Sequence, residues 1–201
     1  LLSNYVKEYP YTPYLDQCHF MMGNIAFENK QYNLAMEEYR NVKIRRLQKE
    51  DLQTRVEWMN NEKVYSSMHF SVPVVMENTV RWFENNIWNE KRADVAFEED
   101  GEIVAFGGLT GVDPTLKKAE LYIFVNPNIQ AKGYGTKATM LLCEYGFNDM
   151  GLHKIYLETN SDNYGAQKVY ERCGFKLEGT LRHEYLTKDG EWKDRLYYGK
   201  L

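Results

Sequence analysis

The chain has 201 residues, with 25 Lys plus Arg against 29 Asp plus Glu and a formal charge of −4. Apolar residues make up 43% and aromatic residues 14%, enough for a full core in one domain with an appendage, so a disordered chain is excluded. The acidic balance argues against bulk nucleic-acid binding, and no apolar stretch reaches the ~20 residues of a membrane helix, so neither nucleic acid nor membrane is expected as a partner.

The first residues, Leu1 to Lys7, lack the basic start and long apolar run of a signal peptide. Cys18, Cys143 and Cys173 are odd in number and form no C-x-x-C pair, which fits a reducing, cytoplasmic setting. The scattered His19, His69, His153 and His183 lack metal-ligand spacing, so no metal is expected.

In chain order, Tyr9-Pro10-Tyr11-Thr12-Pro13-Tyr14 reads as an extended lead-in. The pattern then turns helical to about Val42, with a break near Asn29-Lys30-Gln31. Met22, Gly23, Ala26, Phe27, Ala35 and Tyr39 resemble one tetratricopeptide-type helical hairpin, a unit that needs something to lean on. Residues 1–41 are therefore expected to form a hairpin appendage, and residues 42–201 the main domain.

Val42 to Leu47 alternates like a strand, and helical spacing follows at Leu52, Val56 and Met59 and again at Met76, Val80, Phe83 and Ile87. Two strands, Ala93 to Glu98 and Ile103 to Thr110, flank Glu99-Asp100-Gly101, a hairpin turn of the Asp-Gly kind. Ala119 to Val125 is a strand, Gly133 to about Met150 a long helix, Ile155 to Glu158 a strand, and Asn163 to Cys173 a helix. Two closing strands bracket Lys188-Asp189-Gly190. The order βααβββαβαββ predicts an α+β fold, a mixed sheet with helices on its faces.

Chemistry concentrates where the strand ending at Val125 meets the helix beginning at Gly133. Gln130, Ala131, Lys132, Gly133, Tyr134, Gly135 and Thr136 form a glycine-containing loop leading into a helix. Such a loop presents successive N–H groups that, with the helix dipole, can hold a pyrophosphate without net basic charge; taken alone it reads equally as an ordinary glycine-rich turn that caps the helix. Downstream, Asn163-x-x-Ala166-x-x-x-Tyr170-x-x-x-Gly174-Phe175 enters and leaves a helix. Together, Gln130-x-x-Gly133-x-Gly135 and this second motif make the chain, over about residues 42–201, similar to the GCN5-related N-acetyltransferase (GNAT) family. The resemblance is greatest to the branch holding spermidine, ribosomal-protein and amino-sugar N-acetyltransferases.

The resemblance implies a mixed, mostly antiparallel sheet and acetyl-CoA as cosubstrate. It implies that Gln130 to Thr136 cradle the pyrophosphate and that Ile123, Phe124 and Val125 offer backbone groups to the pantetheine arm. Asn163 is implied as a hydrogen-bond partner of that arm, and Tyr170 as the general acid beside the sulfur. A phenol within reach of a leaving thiolate is chemically apt, although Tyr170 also shares its helix face with Ala166, Val169 and Cys173.

The incoming amine must lose a proton. Glu120 is the candidate base, since it shares a strand face with Tyr122 and Phe124; a structural ion pair is the equal alternative. Direct attack leaves Cys143 and Cys173 unneeded as acyl carriers, and Cys173, on a packed helix face, is expected as core. Trp58, Trp82 and Trp88, off the main stripes of their helices, are expected as outer-layer core, with an acceptor pocket or an interface as alternatives. His69, in the Ser66 to Pro73 loop, is read as structural before catalytic.

The sequence thus points to acetyl transfer onto a primary amine of a small molecule, an amino sugar (free or nucleotide-linked) or a polyamine. The alternatives are a protein N-terminal acetyltransferase and a non-catalytic acyl-CoA-binding module whose hairpin recruits a partner. The closing strands, Glu184-Tyr185 and Asp194-Arg195-Leu196-Tyr197-Tyr198, are expected to complete either the acceptor pocket or the sheet of a homodimer.

Overall fold

The computed structural model describes residues 42–68, 71–129, 132–187 and 189–201; the hairpin expected over 1–41 lies outside the described residues, as do His69, Gln130 and Ala131. The described chain runs β1 (Val42–Arg46), α1 (Leu52–Met59), α2 (Glu62–Tyr65), α3 (Met76–Asn86), β2 (Ala93–Glu99), β3 (Glu102–Asp113) and β4 (Lys118–Val125). It continues with α4 (Tyr134–Glu144), β5 (Lys154–Asn160), α5 (Tyr164–Arg172), β6 (Lys176–Leu186) and β7 (Trp192–Lys200).

The strands form one seven-stranded sheet in the order β1-β2-β3-β4-β5-β7-β6. Only β4 and β5 run parallel; every other neighbouring pair is antiparallel. The β2–β3 hairpin closes at Glu99 opposite Glu102, with Asp100 and Gly101 both at positive φ, as a two-residue turn of this handedness requires. Alternation along the strands sends side chains to two cores. Leu109, Leu121, Leu142 and Ile155 pack on the face covered by α4 and α5; Phe106, Phe124, Trp58 and Leu52 pack on the face covered by α1 and α3.

Three features differ from the sequence expectation. A one-turn helix, α2, stands between the two expected ones, its N-terminus capped by Asn61, whose side chain accepts from the Lys63 N–H at 3.1 Å. A single turn leaves no periodicity to read. The helix from Gly133 changes to π geometry over Tyr145–Asp149. The tryptophans divide: Trp58 is core and Trp82 half-buried, but Trp88, just past the end of α3, is 87% exposed and belongs to no core.

Candidate active site

The parallel pair that joins the two halves of the sheet is short. β4 and β5 are in register only from Lys118 opposite Lys154 to Glu120 opposite Tyr156. Beyond Glu120, β4 stays paired with β3 as far as Val125, and β5 stays paired with β7 as far as Asn160. The two strands therefore splay, and the facing backbone edge of residues 121–125 lacks a strand partner among the described residues. A cleft of about 1010 Å³ fills the gap, walled by this edge, Gly133 to Thr136, Asn163 and Tyr170.

At the head of the cleft Gly133 takes φ 80° and starts α4, a conformation that strains any residue with a Cβ. Gly135 has a different basis. A Cβ there would meet only Val125 Cγ2 at 3.7 Å and Val169 Cγ2 at 3.9 Å, ordinary contacts, so the protein's own packing does not demand glycine. Lys132 is exposed and Thr136 buried in the wall.

Tyr134 keeps its backbone in the expected cradle, at the first residue of α4, while its side chain is engaged elsewhere. Its ring is buried, and its hydroxyl donates to Glu99 Oε2 at 2.5 Å while Lys137 Nζ donates to Glu99 Oε1 at 3.1 Å. This buried triad ties the first turn of α4 to the end of β2, and Tyr134 also lines the cleft. The Phe124 ring packs 5.6 Å from that of Phe106, and the residue lines the cleft edge. Ile123 and Val125 pack against the opposite core.

Tyr170 is buried on α5, 6.0 Å between ring centroids from Phe175 and 6.3 Å from Tyr198, and it lines the cleft. Burial pushes its hydroxyl up to about 12. Asn163 caps α5, its side-chain oxygen accepting from the Ala166 N–H at 3.1 Å, which leaves its NH₂ to donate elsewhere.

Glu120 occupies the point where the strands part. Burial, and then the charge of Glu158, raise its pKa above the ordinary carboxylate range, while Arg195 opposes the rise. Glu158 Oε2 lies 2.7 Å from Arg195 Nη1. Glu158 was not singled out from the sequence, whereas Arg195 belongs to the closing strand expected to complete the pocket or a dimer sheet. Their signal was the charged residue on each of two strands that become neighbours, but that neighbour relation is a property of the sheet order.

Cys143 and Cys173 are buried, and desolvation raises both thiols, Cys143 to about 11. Among the described residues no group of three or more His, Cys, Asp or Glu is placed to hold a metal.

The family model of the GNAT acetyltransferase domain matches residues 41–176. The chain therefore belongs to the GCN5-related N-acetyltransferase family, and it is an acyltransferase whose donor is acetyl-CoA. A spermidine N(1)-acetyltransferase of Escherichia coli K12 is 28% identical over 155 residues, covering 77% of this chain and 83% of that protein. A solved spermidine N-acetyltransferase from Vibrio cholerae, in complex with CoA and spermine, matches with TM-score 0.76 and 25% identity over 81% of this chain and 96% of that one. A dodecameric structure of the Vibrio enzyme shares the fold, with TM-score 0.71 and 23% identity over 81% of this chain and 94% of that one.

Proposed function

We propose that residues 42–201 transfer the acetyl group of acetyl-CoA to the primary amine of a small molecule, by direct attack within one ternary complex, with residues 1–41 as an appendage. The observation that carries this reading is the end of β4–β5 pairing at Glu120, which gives an open strand edge, the start of α4 and Tyr170 a common cleft. The backbone N–H groups from Lys132 to Thr136, with Gln130 and Ala131 assigned by the motif, hold the pyrophosphate at the dipole of α4. The edge at Ile123, Phe124 and Val125 and the NH₂ of Asn163 hold the pantetheine arm.

The bound cosubstrate supplies an activated thioester. Glu120 takes the amine's proton, and its raised pKa brings it nearer to that task than an ordinary carboxylate. Tyr170 keeps its proton through neutral pH and donates a hydrogen bond to the departing sulfur. The buried, protonated thiols of Cys143 and Cys173 take no part as acyl carriers.

Polyamines, the substrates named for the relatives, and amino sugars are the amines to test first. Self-association is part of the proposal: the last strand of the sheet, β6, exposes Leu177 and Leu186, with Trp192 exposed beside it on β7. No helix among the described residues is long and apolar enough to cross a membrane. The free thiols of Cys143 and Cys173 support a reducing, cytoplasmic setting. The test is thiol release from acetyl-CoA by the full chain across a panel of primary amines. Amine-dependent release supports the reading, whereas CoA binding with no turnover on any amine would leave an acyl-CoA-binding module instead.

A further inference from the structure

A second cavity, of about 520 Å³, opens between α1, α3 and the sheet face opposite α4. It shares Met68, Tyr122 and Phe124 with the catalytic cleft, and Thr110 in its wall lies directly across β3–β4 from Glu120. A molecule with an amine at Glu120 therefore has this cavity beside it. The wall is largely apolar and aromatic, with Trp82 and Phe124 at one side and Met59 nearby.

Its charge is unusual. Arg55 lines the cavity and is only 5% exposed. Its guanidinium carbon lies 5.1 Å from the ring centroids of both Trp82 and Phe124 and 5.7 Å from that of Tyr122. Arg55 Nη2 donates to the Tyr122 hydroxyl at 3.3 Å, but the buried Nη1 has no hydrogen-bond partner among the described residues. The carboxylate behind it is already engaged. Asp94 accepts from the Tyr122 hydroxyl at 2.5 Å and from Arg92 at 2.6 and 2.8 Å. Two guanidiniums thus border the cavity, one carboxylate neutralises Arg92, and no acidic side chain among the described residues lines the wall. Aromatic faces attract the Arg55 cation but give its N–H groups no acceptor, and a buried cation without a counter-charge is costly.

Resting on the acetyl-transfer reading, we propose that this cavity takes the far end of the amine acceptor, and that this end carries an anionic oxygen group, a carboxylate or a phosphate, on an apolar body. A linear polyamine would set a second ammonium against Arg55 and gain nothing from the aromatic wall, whose π faces the arginine already occupies. An anionic oxygen gives the guanidinium both its counter-charge and its missing acceptor, in surroundings that strengthen the contact. Arg55 is on this account a specificity residue: it selects the acceptor without touching the reacting atoms.

The test uses the full chain, acetyl-CoA and matched acceptors. Aminovalerate and cadaverine differ only in the far group, phosphoethanolamine supplies the phosphate arm, and spermidine the polyamine arm. The expected result is a kcat/KM at least about tenfold higher for an anionic amine than for cadaverine or spermidine, with the better of the two anionic arms identifying the group. Arg55→Met is expected to lower that kcat/KM about tenfold to a hundredfold, chiefly through the acceptor KM, and to erase the preference while the KM for acetyl-CoA is unchanged. A polyamine preference, or a preference that survives Arg55→Met, overturns the proposal. A binding arm reads the cavity without turnover: valerate or propyl phosphate should quench wild-type tryptophan fluorescence where pentylamine does not. Absence of that difference overturns the proposal even if the variant fails to fold. Thiol release from no amine, with the quenching intact, would instead remove the acetyl-transfer reading and leave an anion-binding cavity.

Discussion

Replacing Tyr170 with Phe separates two roles that a tyrosine beside a leaving sulfur can play. Burial lifts the hydroxyl to about 12, whereas an unperturbed thiol titrates near ~8.5. Outright proton transfer from Tyr170 to a thiolate is then uphill, since a phenol titrates above a thiol even before burial raises it. A hydrogen bond that stabilises the thiolate carries no such penalty, and a bond to a charged group is worth ~1.5–3 kcal/mol. Tyr170→Phe is thus expected to lower kcat about 10- to 150-fold, with the KM for acetyl-CoA within about twofold. The ring contacts with Phe175 and Tyr198 survive the change, so the melting temperature reports an intact fold. Because the phenol stays protonated, any alkaline limb of the wild-type pH–rate profile below about pH 10 should persist in the variant. An unchanged kcat, or an alkaline limb that vanishes in the variant, would refute the reasoning.

Three further outcomes follow from the site. Glu120 has a raised pKa, so kcat/KM should fall as pH falls through that value, and Glu120→Gln should abolish the acidic limb. The sign for stability is opposite: the charged form is disfavoured in the folded state, stability is lost as pH rises through the raised pKa, and the glutamine variant should melt higher at neutral pH. Glu99→Gln leaves Lys137, 2% exposed, without its counter-charge and should cost about 3–5 kcal/mol in urea unfolding, with a loosened first turn of α4. Gly135→Ala meets only ordinary contacts, so stability should change by no more than ~0.5 kcal/mol while the KM for acetyl-CoA rises about tenfold or more.

What the sequence made legible was local. The Asp100-Gly101 hairpin, the glycine loop before α4 and the Asn163 to Phe175 helix carry their geometry in a few adjacent residues, and the fold and donor of the family followed from them. The family's resemblance did not extend to side-chain contacts. Tyr134 sits inside the loop motif, yet its side chain joins a buried triad whose other members, Glu99 and Lys137, lie on another strand and a turn further along the helix. The cavity around Arg55 was hidden for the same reason. Arg55 lies three residues after Leu52 and four before Met59, on the buried stripe of α1, and that placement was its one local sign. Its aromatic neighbours come from α3, β3 and β4, and Asp94 from β2, so only the assembled sheet shows that the arginine lacks a counter-charge among the described residues. The splay of β4 from β5 is likewise a matter of register between distant strands.

Direct transfer inside one cleft is the central claim, and initial-velocity kinetics over a grid of acetyl-CoA and amine concentrations test it most directly. The account predicts amine-dependent thiol release with intersecting double-reciprocal lines, since donor and acceptor must occupy the cleft together. Parallel lines, with an acetyl group trapped on Cys143 or Cys173, would contradict it.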